Sequence, residues 1–188
     1  EVRAVGLSSQ GGALVPLDAG GRPAGPVLSW MDGRSAPWDA RAVDRLGRAW
    51  FEEHTGHGAS GLAFGQILRL RDEAPETLAP PRSLGFVGDA IIGRLCGGRC
   101  AHDATSLSIA GLCHPGKADT DDAVLRELGL RRDQLPPVLP ARRPAGRLTD
   151  AAAAATGLPP GVPVSPAVHD QYAACLGAGA VHPGDVLF

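Results

Sequence analysis

Apolar residues change their spacing along this chain, and the change predicts strands first and helices after. Val2 to Leu7 has the length and composition of a strand and closes at the polar turn Ser8-Ser9-Gln10-Gly11-Gly12. Ala13 to Leu17 is a second short apolar run, ended by Asp18-Ala19-Gly20-Gly21-Arg22-Pro23. Val27-Leu28-Ser29-Trp30 reads as a third strand running into Met31-Asp32-Gly33-Arg34, and the first two runs are expected to pair as an antiparallel hairpin. From Asp39 the period lengthens. Val43, Leu46, Ala49 and Trp50 share a helix face, with Gly56 as a stop. Further helices are expected over Gly61–Glu73, over Leu84–Leu95 and over Asp121–Leu128, the last closed by Gly129. Gln134 to Gly146 is rich in proline and reads as an extended surface connection. Thr149 is placed to cap a helix over Ala151–Ala155, with Gly157 beyond it. Leu158 to Val164 is a turn running into a strand, and Asp170–Leu176 reads as a helix of small residues. The order of elements predicts an α/β domain with a mixed sheet.

Bulk composition narrows the class without naming a function. Hydrophobic residues make up 44% and charged residues 20%, the balance of a soluble globular domain. A net charge of −2 favours neither nucleic acid nor an acidic membrane surface. No apolar run approaches the ~20 residues that a membrane helix requires. Four cysteines in 188 residues do not make a disulfide scaffold, so reduced thiols in a cytoplasmic protein are expected. The chain starts at Glu1, already within strand-like sequence, and Gly184-Asp185-Val186-Leu187-Phe188 reads as a turn with a strand beginning. A chain cut at both ends is therefore expected.

Three clusters carry candidate chemistry. His169-Asp170-Gln171 follows an apolar strand and opens a helix, a position where the helix dipole favours a charged carboxylate that can accept a proton. Its plainer reading is a helix cap. Ser9-Gln10-Gly11-Gly12 and Trp30-Met31-Asp32-Gly33-Arg34 each follow an expected strand, so both can lie at one sheet edge. There the indole would pack on sugar C–H surfaces while Gln, Asp and Arg bond hydroxyls; the plainer reading is two polar turns and a half-buried Trp. Cys96, Cys100 and His102, with Cys113 and His114 further on, have the composition but not the spacing of a zinc site, and buried thiols beside surface His are the plainer reading.

Read in order, these pieces resemble the N-terminal domain of the FGGY carbohydrate kinases. The resemblance runs through Ala4–Gly11, Leu17–Pro23, Ser29–Arg34, Asp103-Ala104-Thr105-Ser106, Gly157–Val164, His169–Ala174 and Leu176–Gly179, which is nearly the whole chain. It implies a ribonuclease-H-like (actin-like ATPase) α/β domain, residues 1–188 being the substrate-binding domain with the nucleotide-binding domain absent. It implies ATP-dependent phosphorylation of a sugar or polyol hydroxyl, with ATP and Mg2+ held mainly by parts outside this chain, and Asp170 as catalytic base. Substrate contacts are implied at Gln10, Gly11, Gly12, Trp30 and Gln171, and less directly at Asp32 and Arg34.

The family's two phosphate loops would fall before Val2 and after Phe188, so the fragment alone is expected to be inactive. A non-catalytic sugar-binding remnant is the rival reading. The partner is a small-molecule sugar or polyol, with neither nucleic acid nor membrane, and a homodimer is allowed. Where family members acting on glycerol or xylulose carry larger side chains, Gly11-Gly12 is expected to leave the pocket open. That implies a substrate that is neither, with room for a larger one.

Overall fold

The computed structural model describes residues 1–185, and the strand expected at Val186–Phe188 lies outside them. In chain order the elements are β1 (Val5–Ser9), β2 (Leu14–Leu17), α1 (Ala36–Leu46), α2 (Arg48–Thr55), α3 (Phe64–Glu73), β3 (Ser83–Phe86), α4 (Val87–Leu95), α5 (Ala104–Ala110), β4 (Cys113–His114), β5 (Asp119–Thr120), α6 (Asp122–Leu128), β6 (Gly146–Arg147), α7 (Asp150–Thr156), β7 (Pro163–His169) and α8 (Asp170–Gly177). The sheet that matters for function is mixed. Central β7 runs parallel to β1 on one side and antiparallel to β6 on the other.

The expected hairpin of the first two runs does not form. β1 pairs with β7, and β2 pairs antiparallel with β3 through Leu14↔Phe86 and Leu17↔Ser83. Burial explains the choice. All four residues of β2 are buried, so β2 belongs inside a core with Leu84 and Phe86, whereas β1 is only alternately covered. The expected third strand, Val27–Trp30, is also absent. Only Leu28 bridges back to Leu14, and Pro23 and Pro26, which lack the N–H a ladder needs, limit the pairing. The expected helix over Leu84–Leu95 divides. Its first residues form β3, and α4 starts where the Asp89 carboxylate accepts the Phe86 N–H at 2.7 Å. Gly85 is part of the reason, because a Cβ there would lie 2.7 Å from the Leu17 side chain across the ladder.

Other expectations hold with small shifts. The helix from Asp39 is two helices, broken at Gly47 and stopped by Gly56 in the left-handed conformation. Asp121 and Thr149 cap α6 and α7 through their side-chain oxygens. The proline-rich stretch from Gln134 is extended but not wholly superficial. Gln134, Leu135 and Pro136 are buried, and Leu139 N–H donates to the His102 carbonyl. The main core joins β2 and β3 to α2, α3, α5 and α6 through Phe51, Phe64, Ile67, Leu107 and Leu128. A second cluster lies between α4, α7 and β7 around Ile92, Leu148 and Val164.

Candidate functional site

A bulge sets the register of the β1–β7 pair. Val5 faces Val164 but Leu7 faces Ala167, so β7 carries one extra residue. Pro166, with no N–H to give to the ladder, falls in that interval, and the Ser165 hydroxyl beside it accepts the Leu7 N–H at 2.9 Å. Beyond the bulge the strands run level, and Ser9 pairs with His169. Two parallel strands therefore end side by side. The Gln10-Gly11-Gly12 loop leaves one, and Asp170, the first residue of α8, leaves the other.

The end of β7 is tied from behind. The His169 N–H donates to Thr105 Oγ1 at 3.0 Å, and that hydroxyl donates to Asp103 Oδ1 at 2.5 Å. Asp103 caps α5 through the Thr105 N–H, and its own N–H donates to the Ala167 carbonyl. The chain around residue 102 bridges both β7 and Val138. Beneath this, buried Asp89 accepts from both Phe86 N–H and His102 Nδ1, the latter at 2.9 Å. Asp89 Oδ1 and His102 Nε2 are buried without a partner among the described residues.

The two strand ends open into a cleft of about 440 Å³ lined by Gln10, Gly11, Trp30, Leu62, Ile109, His169, Asp170, Gln171 and Ala174. That volume suits a small ligand. Asp170 keeps about half its side-chain surface exposed (52%). Its Oδ1 accepts the Gln171 N–H at 2.8 Å and faces His169 Nε2 at 3.2 Å, while Oδ2 has no partner among the described residues. Of the expected site residues, Gln10, Gly11, Trp30, Asp170 and Gln171 meet in this one cleft.

Gly12, Asp32 and Arg34 do not line it. Asp32 and Arg34 are engaged with each other by a bidentate guanidinium–carboxylate contact, and the Arg34 side chain, then its backbone N–H, hold the Asp32 carboxyl well below the usual carboxylate range. Asp32 borders an adjoining depression of about 270 Å³ that meets the cleft at Trp30 and Leu62, and Arg34 turns towards Pro16, Leu28 and Arg69.

The two glycines do not open the pocket. A Cβ on Gly11 would lie 2.1 Å from His169 Cδ2 and 2.5 Å from Ile109 Cγ2, and one on Gly12 would lie 2.6 Å from Leu62 Cβ. The room they leave is taken by protein side chains, so they give no ground for a larger substrate. Leu62, Ile109 and Ala174 were not foreseen as cleft residues. Ile109 sits on α5, whose signal was the capping pattern Asp103-x-Thr105 before an apolar Leu107.

The zinc alternative finds no support in the thiols. Burial pushes Cys96, Cys100 and Cys113 up, Cys100 to about 11, so that neutral S–H is favoured over the thiolate a metal needs. Among the described residues no three His, Cys, Asp or Glu side chains gather, and no helix is long and apolar enough to cross a membrane.

Comparison with known proteins agrees with this geometry. Residues 1–177 match the model of the FGGY family of carbohydrate kinases, N-terminal domain. The chain is 31% identical to a xylulose kinase of Streptomyces coelicolor over 98% of its length, and 31% identical to an L-fuculokinase of Salmonella typhi over 99%. It spans only 38% and 39% of those relatives. Among solved structures it superposes on a Plasmodium falciparum glycerol kinase with ADP (TM-score 0.88, 18% identity, 98% of this chain and 37% of that one). It also superposes on a xylulose kinase from Rhodospirillum rubrum (TM-score 0.87, 23% identity, 98% and 38%). The expected ribonuclease-H-like, actin-like α/β fold is thus the fold of the chain. With the family model covering all but its last eleven residues, the chain belongs to the FGGY family of carbohydrate kinases and carries its N-terminal domain.

Proposed function

We propose that the protein containing this domain transfers the γ-phosphoryl group of ATP to a hydroxyl of a sugar or polyol, with Asp170 as the base. The observation that carries the reading is the level ending of β1 and β7. It gathers one carboxylate with an open oxygen, two amide side chains and an indole around a small cleft that holds no Lys or Arg. Such a lining suits a neutral, hydroxylated ligand and not a phosphate. The amides of Gln10 and Gln171 donate and accept as hydroxyls require, and the Trp30 face covers C–H surface.

In the transfer, Asp170 Oδ2 takes the proton from the attacking hydroxyl. The alcohol oxygen forms its bond to the γ-phosphorus, and the bond from that phosphorus to the β,γ-bridging oxygen breaks. ADP leaves with the electron pair. The cleft has a single carboxylate and no cation, so the phosphates of ATP and the accompanying Mg2+ are assigned mainly to parts of the protein outside these 188 residues. Mg2+, when bound, would neutralise phosphate charge. Asp32, held by Arg34, borders the adjoining depression that meets the cleft at Trp30 and Leu62. A cytoplasmic location goes with this reading, as does a homodimer as an allowed assembly.

The test uses the full-length protein with ATP and Mg2+ against D-xylulose, L-fuculose, erythritol and glycerol, the acceptors that relatives' names suggest. Phosphorylation of at least one is expected, and Asp170→Asn should lower kcat on it by about 10²–10⁴-fold. Unchanged turnover in that variant would remove Asp170 from the chemistry. Tight binding of an acceptor without turnover would favour a sugar-binding role instead.

A further inference from the structure

Only the first part of β7 has a strand on its second side. β6 pairs with Pro163 and Val164, and beyond them residues 101–105 take its place, with His102 bridging Ala167 in parallel. The Ala167 N–H donates to the Ala101 carbonyl at 3.2 Å, and the Asp103 N–H donates to the Ala167 carbonyl at 3.0 Å. A parallel ladder would next send the His169 N–H, which lies on the same side as that of Ala167, to the carbonyl of Asp103. That acceptor is withdrawn. Asp103 is the N-cap of α5, where the chain turns into the helix, and the carbonyl of an N-cap takes the first intrahelical bond. A side chain fills the position instead: the His169 N–H donates to Thr105 Oγ1 at 3.0 Å. The hydroxyl can serve only if its own proton is turned elsewhere, and Asp103 sees to that. Thr105 Oγ1 donates to Asp103 Oδ1 at 2.5 Å, and the same carboxylate oxygen accepts the Thr105 N–H at 3.0 Å. His169 is 4% exposed, so its N–H has little water to turn to if the hydroxyl is removed.

We propose that Thr105 is a positioning residue for the phosphoryl transfer: its hydroxyl, oriented by Asp103, replaces the missing ladder carbonyl and fixes the strand end from which Asp170 enters the cleft. The inference rests on Asp170 being the base. His169 is the last residue of β7 and Asp170 the first of α8, and α8 buries no residue of its own. The place of the carboxylate therefore depends on how the strand before it is held. A misplacement of about an ångström can cost about a hundredfold in rate.

Two measurements on the full-length protein test it. In hydrogen exchange resolved to single amides, without substrate, the His169 amide should be protected in the wild type and in Thr105→Ser. In Thr105→Val, which keeps the shape and loses the acceptor, it should exchange at least about tenfold faster. A His169 amide that exchanges freely in the wild type, or is equally protected in Thr105→Val, overturns the proposal whether or not an acceptor has been found. In turnover with the best acceptor of the panel above, counted per folded enzyme by circular dichroism, Thr105→Val should lower kcat about 10–100-fold with KM within about threefold. Thr105→Ser should stay within about threefold of wild type, because it restores the hydroxyl. A role exerted through Asp170 has nothing left to lose once that carboxylate is gone, so Thr105→Val combined with Asp170→Asn should be within about threefold of Asp170→Asn alone. Unimpaired kcat in Thr105→Val, an equal loss in Thr105→Ser, or losses that multiply in the double variant overturn the role of Thr105 while leaving Asp170 intact. Undiminished turnover in Asp170→Asn instead removes the base, and the role with it.

Discussion

Asp121 shows how far one side chain can be worked. It is almost wholly buried, it accepts the Ala123 and Val124 N–H groups at 2.7 and 3.0 Å to start α6, and it faces His54 Nδ1 at 3.3 Å. Burial pushes its carboxyl up, but the backbone bond from Val124, the His54 contact and the Ala123 bond outweigh that, and the net direction is down. A carboxyl lowered on folding adds stability above its unfolded value, near pH ~3.9, and that part is lost as pH falls through the lowered folded value. Acid titration of stability in the wild type should therefore contain a component below pH ~4 that Asp121→Ala lacks. At pH 7 the variant should be less stable by about 1–2 kcal/mol in urea, the cost of a lost N-cap. The helix was legible as an amphipathic run from Asp121 that ends at Gly129, with Asp121 read as its first residue and not as its cap. The His54 contact was not, because nothing in local spacing ties residue 54 to residue 121. The same division holds at the site. The Asp170 carboxylate could be picked out from its place between an apolar run and a small-residue helix. His169 beside it was quoted only as part of a motif, since the space reserved for its ring at Gly11 is visible only in three dimensions.

Elements were most legible where a cap and a stop bracket a short run, as in α6 and α7, and least where a short apolar run admits two periods. Leu84-Gly85-Phe86 is such a run. It continues the apolar pattern of α4, yet it is a strand because β2 offers a fully buried edge to pair with. Helices α1 and α2 make the same point from the other side, since one apolar face continues across a break. Gly47 lies at φ 80° and ψ 158°, a region essentially reserved for glycine, with open space where a Cβ would stand. Gly47→Ala should therefore cost about 1–3 kcal/mol through the backbone alone. Gly6→Ala, in β1, also has open space but an ordinary φ, and it should be neutral or stabilising by a few tenths of a kcal/mol. Chemical denaturation of the two variants separates strain from crowding, because crowding is absent at both.

At the scale of the whole molecule, the cleft is made by contacts across nearly the full chain. Leu7 bonds Ser165, Ser9 pairs His169, and Leu62 and Ile109 come from the middle to close the wall. Such pairings leave no periodic trace, so the convergence of Gln10, Trp30 and Asp170 was reachable from the sequence only through family resemblance. Residue patterns alone left a cap and two polar turns as the plainer account. One asymmetry of the architecture bears on how the site behaves. None of the residues of α8 is buried, and Tyr172 and Leu176 show more than half their surface to solvent. The residue that heads this helix nonetheless sits beside a strand end fixed by Thr105, Asp103 and the bulged ladder. In the isolated domain, amide hydrogens over residues 174–178 should exchange much faster than those of β7, as measured by mass spectrometry. The helix is a cantilever anchored at its root. Weight placed on its free length, by any surface that settles over Tyr172 and Leu176, would be felt as stiffness at the carboxylate without a single atom of the cleft being touched.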